Sequence, residues 1–126
     1  MGKQIIGGAH PEGLPVAEAV SAGGFVFLSG LCGFDASGAI VKGGIQAETR
    51  SILDEAQRLL GLAGATLSDV VKVGVYLSRA EDFDAFNAVY RERFAGSPPA
   101  RISMCVMLTI DALIELDLTA YIGDRK

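Results

Sequence analysis

Two charged residues in the C-terminal third stand in apolar surroundings, where ionic groups often do chemistry. Arg101 follows the rigid segment Pro98-Pro99-Ala100 and enters a predicted strand, where a guanidinium needs an anionic partner. That partner is either an internal carboxylate, Glu115 or Asp117, or the carboxylate of a bound molecule held by two parallel hydrogen bonds. The residue types alone leave both interpretations open.

Glu115 lies within the apolar run Leu113-Ile114-Glu115-Leu116. Strand alternation makes it either a solvent-facing residue or a carboxylate in a semi-enclosed site. If it lies near Arg101, it could orient a water molecule and move a proton, which is the work of a general acid–base catalyst.

Further polar groups could complete a small-molecule site. Ser29-Gly30-Leu31 ends a predicted strand at a glycine, so its backbone N–H groups could bind an oxyanion or a carboxylate. Asn87 and Tyr90 lie one turn apart on a predicted helix and could reach a cleft. A capping or core hydrogen bond explains each of these two equally well.

Metal and redox chemistry have little support in the sequence. His10 is the one histidine, and no second histidine or cysteine pair accompanies it to complete a metal site. Cys32 and Cys105 cannot build a disulfide scaffold, and both lie in apolar sequence, where a free thiol packs as a small hydrophobe. We therefore expect no metal and place both cysteines in a core or an interface.

Composition narrows the class of protein. The 126 residues are half hydrophobic and 21% charged, which predicts one domain spanning residues 1–126. No apolar run reaches the length of about 18 residues that a membrane span needs, so we expect a cytoplasmic protein with no membrane partner. The net charge of −4 argues against nucleic acid as a partner. A mean hydropathy of +0.38 in so small a chain favours an oligomer.

Hydrophobic periodicity gives the elements that must position these residues. In chain order we predict strands 17–21 and 25–30, a helix over 45–63, a strand over 70–77, a helix over 83–94, and strands 100–108 and 113–122. The first two strands are joined by Gly23-Gly24 into a hairpin. Residues 109–112 are predicted to join the last two strands into a second antiparallel hairpin.

The predicted order β-β-α-β-α-β-β describes an α+β fold in which both helices cover one face of a mixed sheet. In the last hairpin, alternation predicts apolar rows facing the helices, namely Ile102, Met104, Val106, Leu108 and Ile114, Leu116, Leu118, Ala120, Ile122. The opposite rows are semi-polar and predict an interface between subunits: Arg101, Ser103, Cys105, Met107 and Glu115, Asp117, Thr119, Tyr121.

Several short motifs recur in an order and spacing that are specific together: Phe27-Leu28-Ser29-Gly30 with Phe34-Asp35, the segments 46–50 and 63–73, Asp82-Phe83 with Phe86-Asn87-Ala88-Val89-Tyr90, and Pro98-Pro99-Ala100-Arg101 with Ile114-Glu115-Leu116. Over almost its whole length the chain thereby resembles the Rid (YjgF) reactive-intermediate deaminases, also called the L-PSP endoribonuclease family. The resemblance implies a chorismate-mutase-like fold that assembles as a homotrimer with sites between subunits.

The resemblance also implies a reaction. Family members with the arginine hydrolyse reactive 2-enamine and 2-imine carboxylates, such as 2-aminoacrylate and 2-iminopropanoate, to 2-keto acids and ammonia without a cofactor. In that chemistry Arg101 would clamp the substrate carboxylate, the backbone at Gly30 and Leu31 would help to hold it, and Glu115 would position the attacking water. Ser29 and Asn87 are expected to line the same site.

Two departures from the family pattern alter the expected pocket. Ser103 stands where the better-studied deaminases have a cysteine, and its hydroxyl can replace the thiol as a hydrogen-bond partner. Val16 stands where many have a tyrosine, so a phenolic hydroxyl is lost, and Leu31-Cys32-Gly33 replaces the usual Gln-Ile-Pro. We expect a more apolar pocket and a substrate larger than, or different from, 2-iminopropanoate.

One alternative is a trimeric small-carboxylate-binding or chaperone-like protein that keeps the arginine but has lost turnover with Val16 and Ser103. The ribonuclease activity in the family's second name ranks last, because the acidic chain has no basic stripe and one histidine cannot provide an acid–base pair.

Overall fold

The computed structural model describes residues 2–10 and 12–123, in which six strands form one mixed sheet and two helices lie against it. The elements are β1 (Gln4–Ala9), β2 (Ala17–Ala22), β3 (Phe25–Leu28), α1 (Gly44–Leu62), β4 (Val70–Leu77), α2 (Phe83–Arg93), β5 (Ala100–Cys105) and β6 (Ile114–Tyr121). The strand order is β1-β2-β3-β6-β4-β5, and only β4 and β5 pair in parallel. The predicted α+β class is confirmed.

Both helices form where the three-and-four spacing predicts them. In α1 the apolar positions from Ile45 to Leu60 are buried against the sheet. In α2 the buried residues are Phe86, Val89 and Tyr90. One charged residue of α1 is also buried: Glu48 is 4% exposed.

Strand β1 was not predicted, because Gly7 and Gly8 interrupt its pattern and nearly all of its residues are exposed. It pairs antiparallel with β2, and a bulge between Ile6 and Ala9 absorbs the glycines. The β2–β3 hairpin around Gly23-Gly24 is confirmed.

The predicted C-terminal hairpin is wrong, because β5 and β6 do not pair with each other. Strand β4 lies between them, parallel to β5 and antiparallel to β6. Val73 and Val75 in β4 are fully buried, which is typical of a strand in the interior of a sheet, with a partner on each side. Helix α2 provides the long crossover connection that the parallel pair β4–β5 requires.

The face of the sheet on which each row of alternating side chains lies was predicted correctly for β6 and wrongly for β5. Ile114, Leu116, Leu118 and Ala120 are fully buried beneath the helices, as expected. In β5, however, Arg101 pairs with the buried Val73 and Ser103 with Val75, so these polar residues face the helices. The apolar residues of β5, Ile102 and Met104, lie on the outer face of the sheet and are about half exposed, at 47% and 41%.

The outer face therefore carries many apolar side chains beside Glu115 and Asp117 of β6, and no described residue of the chain covers it. Phe25 packs on Phe27 and on Tyr121, with ring centroids 5.9 and 4.8 Å apart, and all three rings are exposed. Neither helix in residues 2–10 and 12–123 combines the length and apolar character that crossing a membrane requires.

Candidate functional site

Arg101 is held by neutral groups of α2. Its Nη1 donates a hydrogen bond of 2.8 Å to Asn87 Oδ1. Its guanidinium carbon lies 4.7 to 5.7 Å from the ring centroids of Tyr90, Phe86 and Phe83, which is cation–π distance. Asn87 and Arg101 were both predicted as site residues, and the fold brings them into contact.

The charge of Arg101 is not neutralised by any carboxylate in the described part of the chain, where the ion pairs all involve other arginines. The internal salt bridge with Glu115 or Asp117 that the sequence left open is therefore absent there. The three ring contacts and the amide oxygen stabilise the guanidinium without neutralising its positive charge. An arginine in this state is suited to bind an anion from outside the chain.

Tyr90 adds a second unused group beside this guanidinium. Its hydroxyl is buried and makes no hydrogen bond with the described residues. Burial raises the pKa of Tyr90, and the nearby charge of Arg101 opposes that rise. Ser103 is half-buried on the same side of the sheet, two residues along β5.

A separate cavity of about 1160 Å³ contains the other predicted site residues: Val16, Ser29, Gly30, Leu31 and Glu115. Its lining combines exposed apolar side chains, Leu14, Phe34 and Ile110, with charged ones that include Arg50 and Arg58.

Glu115 lies against the backbone of Gly30 in this cavity. A side chain at Gly30 would collide with the Glu115 carboxylate, so the close approach requires glycine. On its other side the Cys32 thiol donates to Glu115 Oε1, with sulfur and oxygen 3.9 Å apart. Burial first, and then the charge of Asp117, raise the pKa of Glu115 above its ordinary value of 4.5.

Part of the predicted role of Leu31 is wrong. Its N–H donates to Leu116 O at 2.7 Å, and its carbonyl accepts from the Leu116 N–H at 3.0 Å. This bridge joins the loop to β6 and leaves no Leu31 amide for a ligand. The Ser29 hydroxyl donates to Ala17 O at 2.5 Å, so it ties the loop to β2.

The fold divides the predicted site between the two faces of the sheet. Arg101 pairs with Val73 of β4, whereas Glu115 pairs with Tyr76, which lies three residues further along β4. Because side chains alternate, positions three residues apart face opposite sides. Within one chain, then, Arg101 and Glu115 do not meet: Arg101, Asn87 and Ser103 form an arginine half-site, and Val16, Ser29, Gly30, Leu31 and Glu115 form a glutamate half-site.

No described group of three or more His, Cys, Asp and Glu side chains could hold a metal ion. His10 lies at the cavity, where its Nδ1 accepts from the Glu12 N–H at 3.1 Å. Of the two places predicted for the cysteines, a core or an interface, the core is wrong: Cys105 is exposed, and Cys32 is half-buried beside Glu115. Burial and the Glu115 charge raise the pKa of Cys32 to about 12, so its thiol stays protonated.

Sequence reasoning missed the aromatic contacts to Arg101 and the contact of Cys32 with Glu115. The aromatic residues at 83, 86 and 90 have the spacing of a buried helix face, and only the pairing of β5 with β4 shows that they also contact Arg101. No sequence signal distinguishes Cys32 from a packing residue.

Comparisons with known proteins identify the family. A family model described as Endoribonuclease L-PSP matches residues 12–122. A RutC family protein of Pyrococcus horikoshii is 43% identical over 109 residues, which cover 85% of this chain and 86% of that protein.

Among solved structures, the Rid family protein YyfA of Yersinia pestis superposes with a TM-score of 0.87 at 26% identity, covering 95% of this chain and 99% of that one. E. coli TdcF with bound serine gives a TM-score of 0.85 at 26% identity, covering 94% and 98%. The sheet with two helices on one face thus defines the chain as an L-PSP-type α+β protein. It belongs to the Rid (YjgF) family, also called the L-PSP endoribonuclease family.

Proposed function

We propose that this protein hydrolyses reactive 2-enamine and 2-imine carboxylates to 2-keto acids and ammonia without a cofactor. The observation that carries the proposal is the guanidinium of Arg101, half-buried and positioned by Asn87 and aromatic rings, with no carboxylate of the described chain neutralising it. A planar carboxylate is the ligand that such a fork binds in two parallel hydrogen bonds.

The proposed reaction needs one proton carrier. An enamine first tautomerises to the imine, and Glu115 takes a proton from water as the water oxygen attacks the imine carbon. Glu115 then gives this proton to the nitrogen, which completes the carbinolamine. In the last step Glu115 transfers the proton of the carbinolamine hydroxyl to the nitrogen, so that the C=O bond forms as the C–N bond breaks and ammonia leaves the keto acid. The raised pKa of Glu115 favours this exchange of protons, because a carboxyl group works best when its pKa approaches the working pH.

Since Arg101 and Glu115 face opposite sides of the sheet, we propose that a site combines the arginine half-site of one subunit with the glutamate half-site of its neighbour. The uncovered apolar outer face supports an assembly of copies, and a homotrimer gives each of three sites one group of each kind. Bound serine in the neighbour TdcF supports a site for small carboxylates. The net charge of −4 favours a small-molecule partner over nucleic acid, and we keep the cytoplasm as the proposed location.

The first test is hydrolysis of 2-iminopropanoate and of imines with larger side chains, made in situ by an amino-acid oxidase and followed by semicarbazide trapping. Wild type should accelerate loss of the imine, and Arg101→Ala should abolish the acceleration while the oligomer stays intact. Arg91→Ala removes an exposed arginine of α2 and is the matched control. Tight binding of a 2-keto acid with no hydrolysis of any imine would overturn the proposal in favour of the carboxylate-binding protein.

A subunit-mixing experiment tests the shared site. Arg101→Ala and Glu115→Gln chains with different tags are co-expressed, and mixed trimers are isolated by tandem affinity. If each site takes its arginine and glutamate from neighbours, every mixed trimer has one intact site and about one third of wild-type activity. Sites built within one chain would give inactive mixtures, which would overturn this part of the proposal.

A further inference from the structure

Glu48 is a buried carboxylate whose location the proposed reaction does not explain. It is 4% exposed, and no lysine, arginine or histidine of residues 2–10 and 12–123 forms an ion pair with it. The nearby Arg79 is engaged by Asp82 through two hydrogen bonds of 2.9 Å. A buried, unpaired carboxylate is costly, so the contact it makes must be specific.

That contact is with the residue that leads into β6. Glu48 Oε1 accepts the N–H of Leu113 at 2.9 Å, and the Leu113 carbonyl accepts the N–H of Ser78 at 3.0 Å. Both backbone polar groups of Leu113 are therefore hydrogen-bonded, the N–H to α1 and the carbonyl to the residue that follows β4. Glu115 follows two residues later.

The same part of α1 also supports the loop that contacts Glu115. Gly33 packs so closely on α1 that a Cβ there would lie 2.9 Å from the backbone oxygen of Glu48. The loop is joined to β6 by the Leu31–Leu116 bridge and carries Gly30, which lies against the Glu115 carboxylate. Both segments that surround Glu115 thus contact Glu48.

We propose that Glu48 is a positioning residue for Glu115: by fixing the Leu113 peptide it holds the start of β6, and with it the carboxylate of Glu115, against the Gly30 loop. The proposal rests on the proposed function in naming Glu115 as the proton carrier. Small displacements of a catalytic group cost large factors in rate, about a hundredfold for 1 Å, so the effect is measurable. Substrate binding through Arg101 is expected to be spared, because Arg101 lies on the other face of the sheet.

The test compares two substitutions of Glu48. Both remove its charge, but only one also removes the oxygen that accepts the Leu113 N–H. Glu48→Gln keeps an acceptor oxygen for the Leu113 N–H and should retain kcat within about threefold, whereas Glu48→Leu removes the acceptor and should lower kcat at least tenfold with little change in KM. Thr49→Val is the matched control, because Thr49 is the adjacent buried polar residue and its hydroxyl bonds only the Ile45 carbonyl of α1. A Glu48→Leu enzyme that is folded and as active as Thr49→Val would overturn the proposal.

A second measurement makes the result independent of turnover. In carboxyl-labelled protein, NMR titration should give Glu115 a shifted midpoint in Glu48→Leu and an unchanged midpoint in Glu48→Gln, since only the first loses the hydrogen bond. An unchanged Glu115 midpoint in both variants would overturn the positioning role. If wild type hydrolyses no imine, the proposed function fails, and this titration still decides the role of Glu48.

Discussion

Among single residues, the informative contrast is between the two arginines near α2. Arg79 is paired with Asp82, whereas Arg101 is held by Asn87 and three aromatic rings. A carboxylate partner would fix Arg101 equally well but would compete with any anionic ligand. Neutral contacts give it a defined position and leave its charge available.

Replacing the side-chain amide of Asn87 by a carboxylate tests this argument. Asn87→Asp places a carboxylate 2.8 Å from the guanidinium, where it forms an internal ion pair. We expect KM for the imine to rise about tenfold, with a smaller effect on kcat, because the clamp must be freed before substrate binds. Steady-state kinetics on the imine assay measure both constants.

The control for that variant is Asn87→Ala, which removes the hydrogen bond without adding charge. It should raise KM by less than Asn87→Asp does. Equal KM values in the two variants would show that the charge state of Arg101 is irrelevant to binding.

Among the elements, α1 and β6 each carry a carboxyl group whose surroundings raise its pKa. Burial raises the pKa of Glu48 above its ordinary value of 4.5, and the Leu113 N–H opposes that rise. The surrounding charges are Asp82 and Asp111, which also raise it, and Arg79, which lowers it. Glu115 is shifted in the same direction.

These shifts predict how stability changes with pH. A raised pKa means that the folded chain keeps protons that the unfolded chain has already released, so the free energy of unfolding falls as pH rises from 4.5 through the folded-state pKa of each group. Glu48→Gln removes one contribution and should make this fall shallower. Urea unfolding at fixed protein concentration between about pH 4 and pH 7 measures it.

Asp35 does not obscure that measurement. Hydrogen bonds from Ser37 and Ala39 lower its pKa from 3.8, so its contribution is lost only below that value. The same pH dependence in wild type and in Glu48→Gln would contradict the buried environment of Glu48.

At the scale of the whole molecule, the proposed assembly rests on the outer face of the sheet. Phe25, Phe27, Tyr121, Ile102 and Met104 are exposed on one surface, which is more apolar than a monomer usually shows to water. Covering that surface with other copies is the expected driving force for a trimer.

Phe27→Asp should weaken the trimer, because a carboxylate would be buried among aromatic rings at the interface. Light scattering at micromolar concentration should show wild type as a trimer and this variant as smaller species. Leu62→Asp adds the same charge at an exposed apolar residue of α1, away from the sheet, and should remain trimeric. A monomeric wild type, or a folded Phe27→Asp variant that stays trimeric, would contradict the assembly.

The sequence by itself determined most of the elements and pointed to the candidate site residues. Local periodicity specifies α1, α2, β4 and the β2–β3 hairpin, because side-chain spacing along a helix or strand is a property of the chain alone. The unpaired charges in apolar runs likewise identified Arg101 and Glu115, and the motif order identified the family.

Only the tertiary structure decided which elements pair and which face each residue occupies. Local spacing cannot report that β4 separates β5 from β6, because strand pairing is a long-range contact, and an error in pairing also reversed the side assigned to Arg101. The burial of Glu48 was hidden for the same reason, since its partner Leu113 is 65 residues away. The division of the site between two faces of one sheet follows from that pairing, and it is why a second copy of the chain is expected to complete the site.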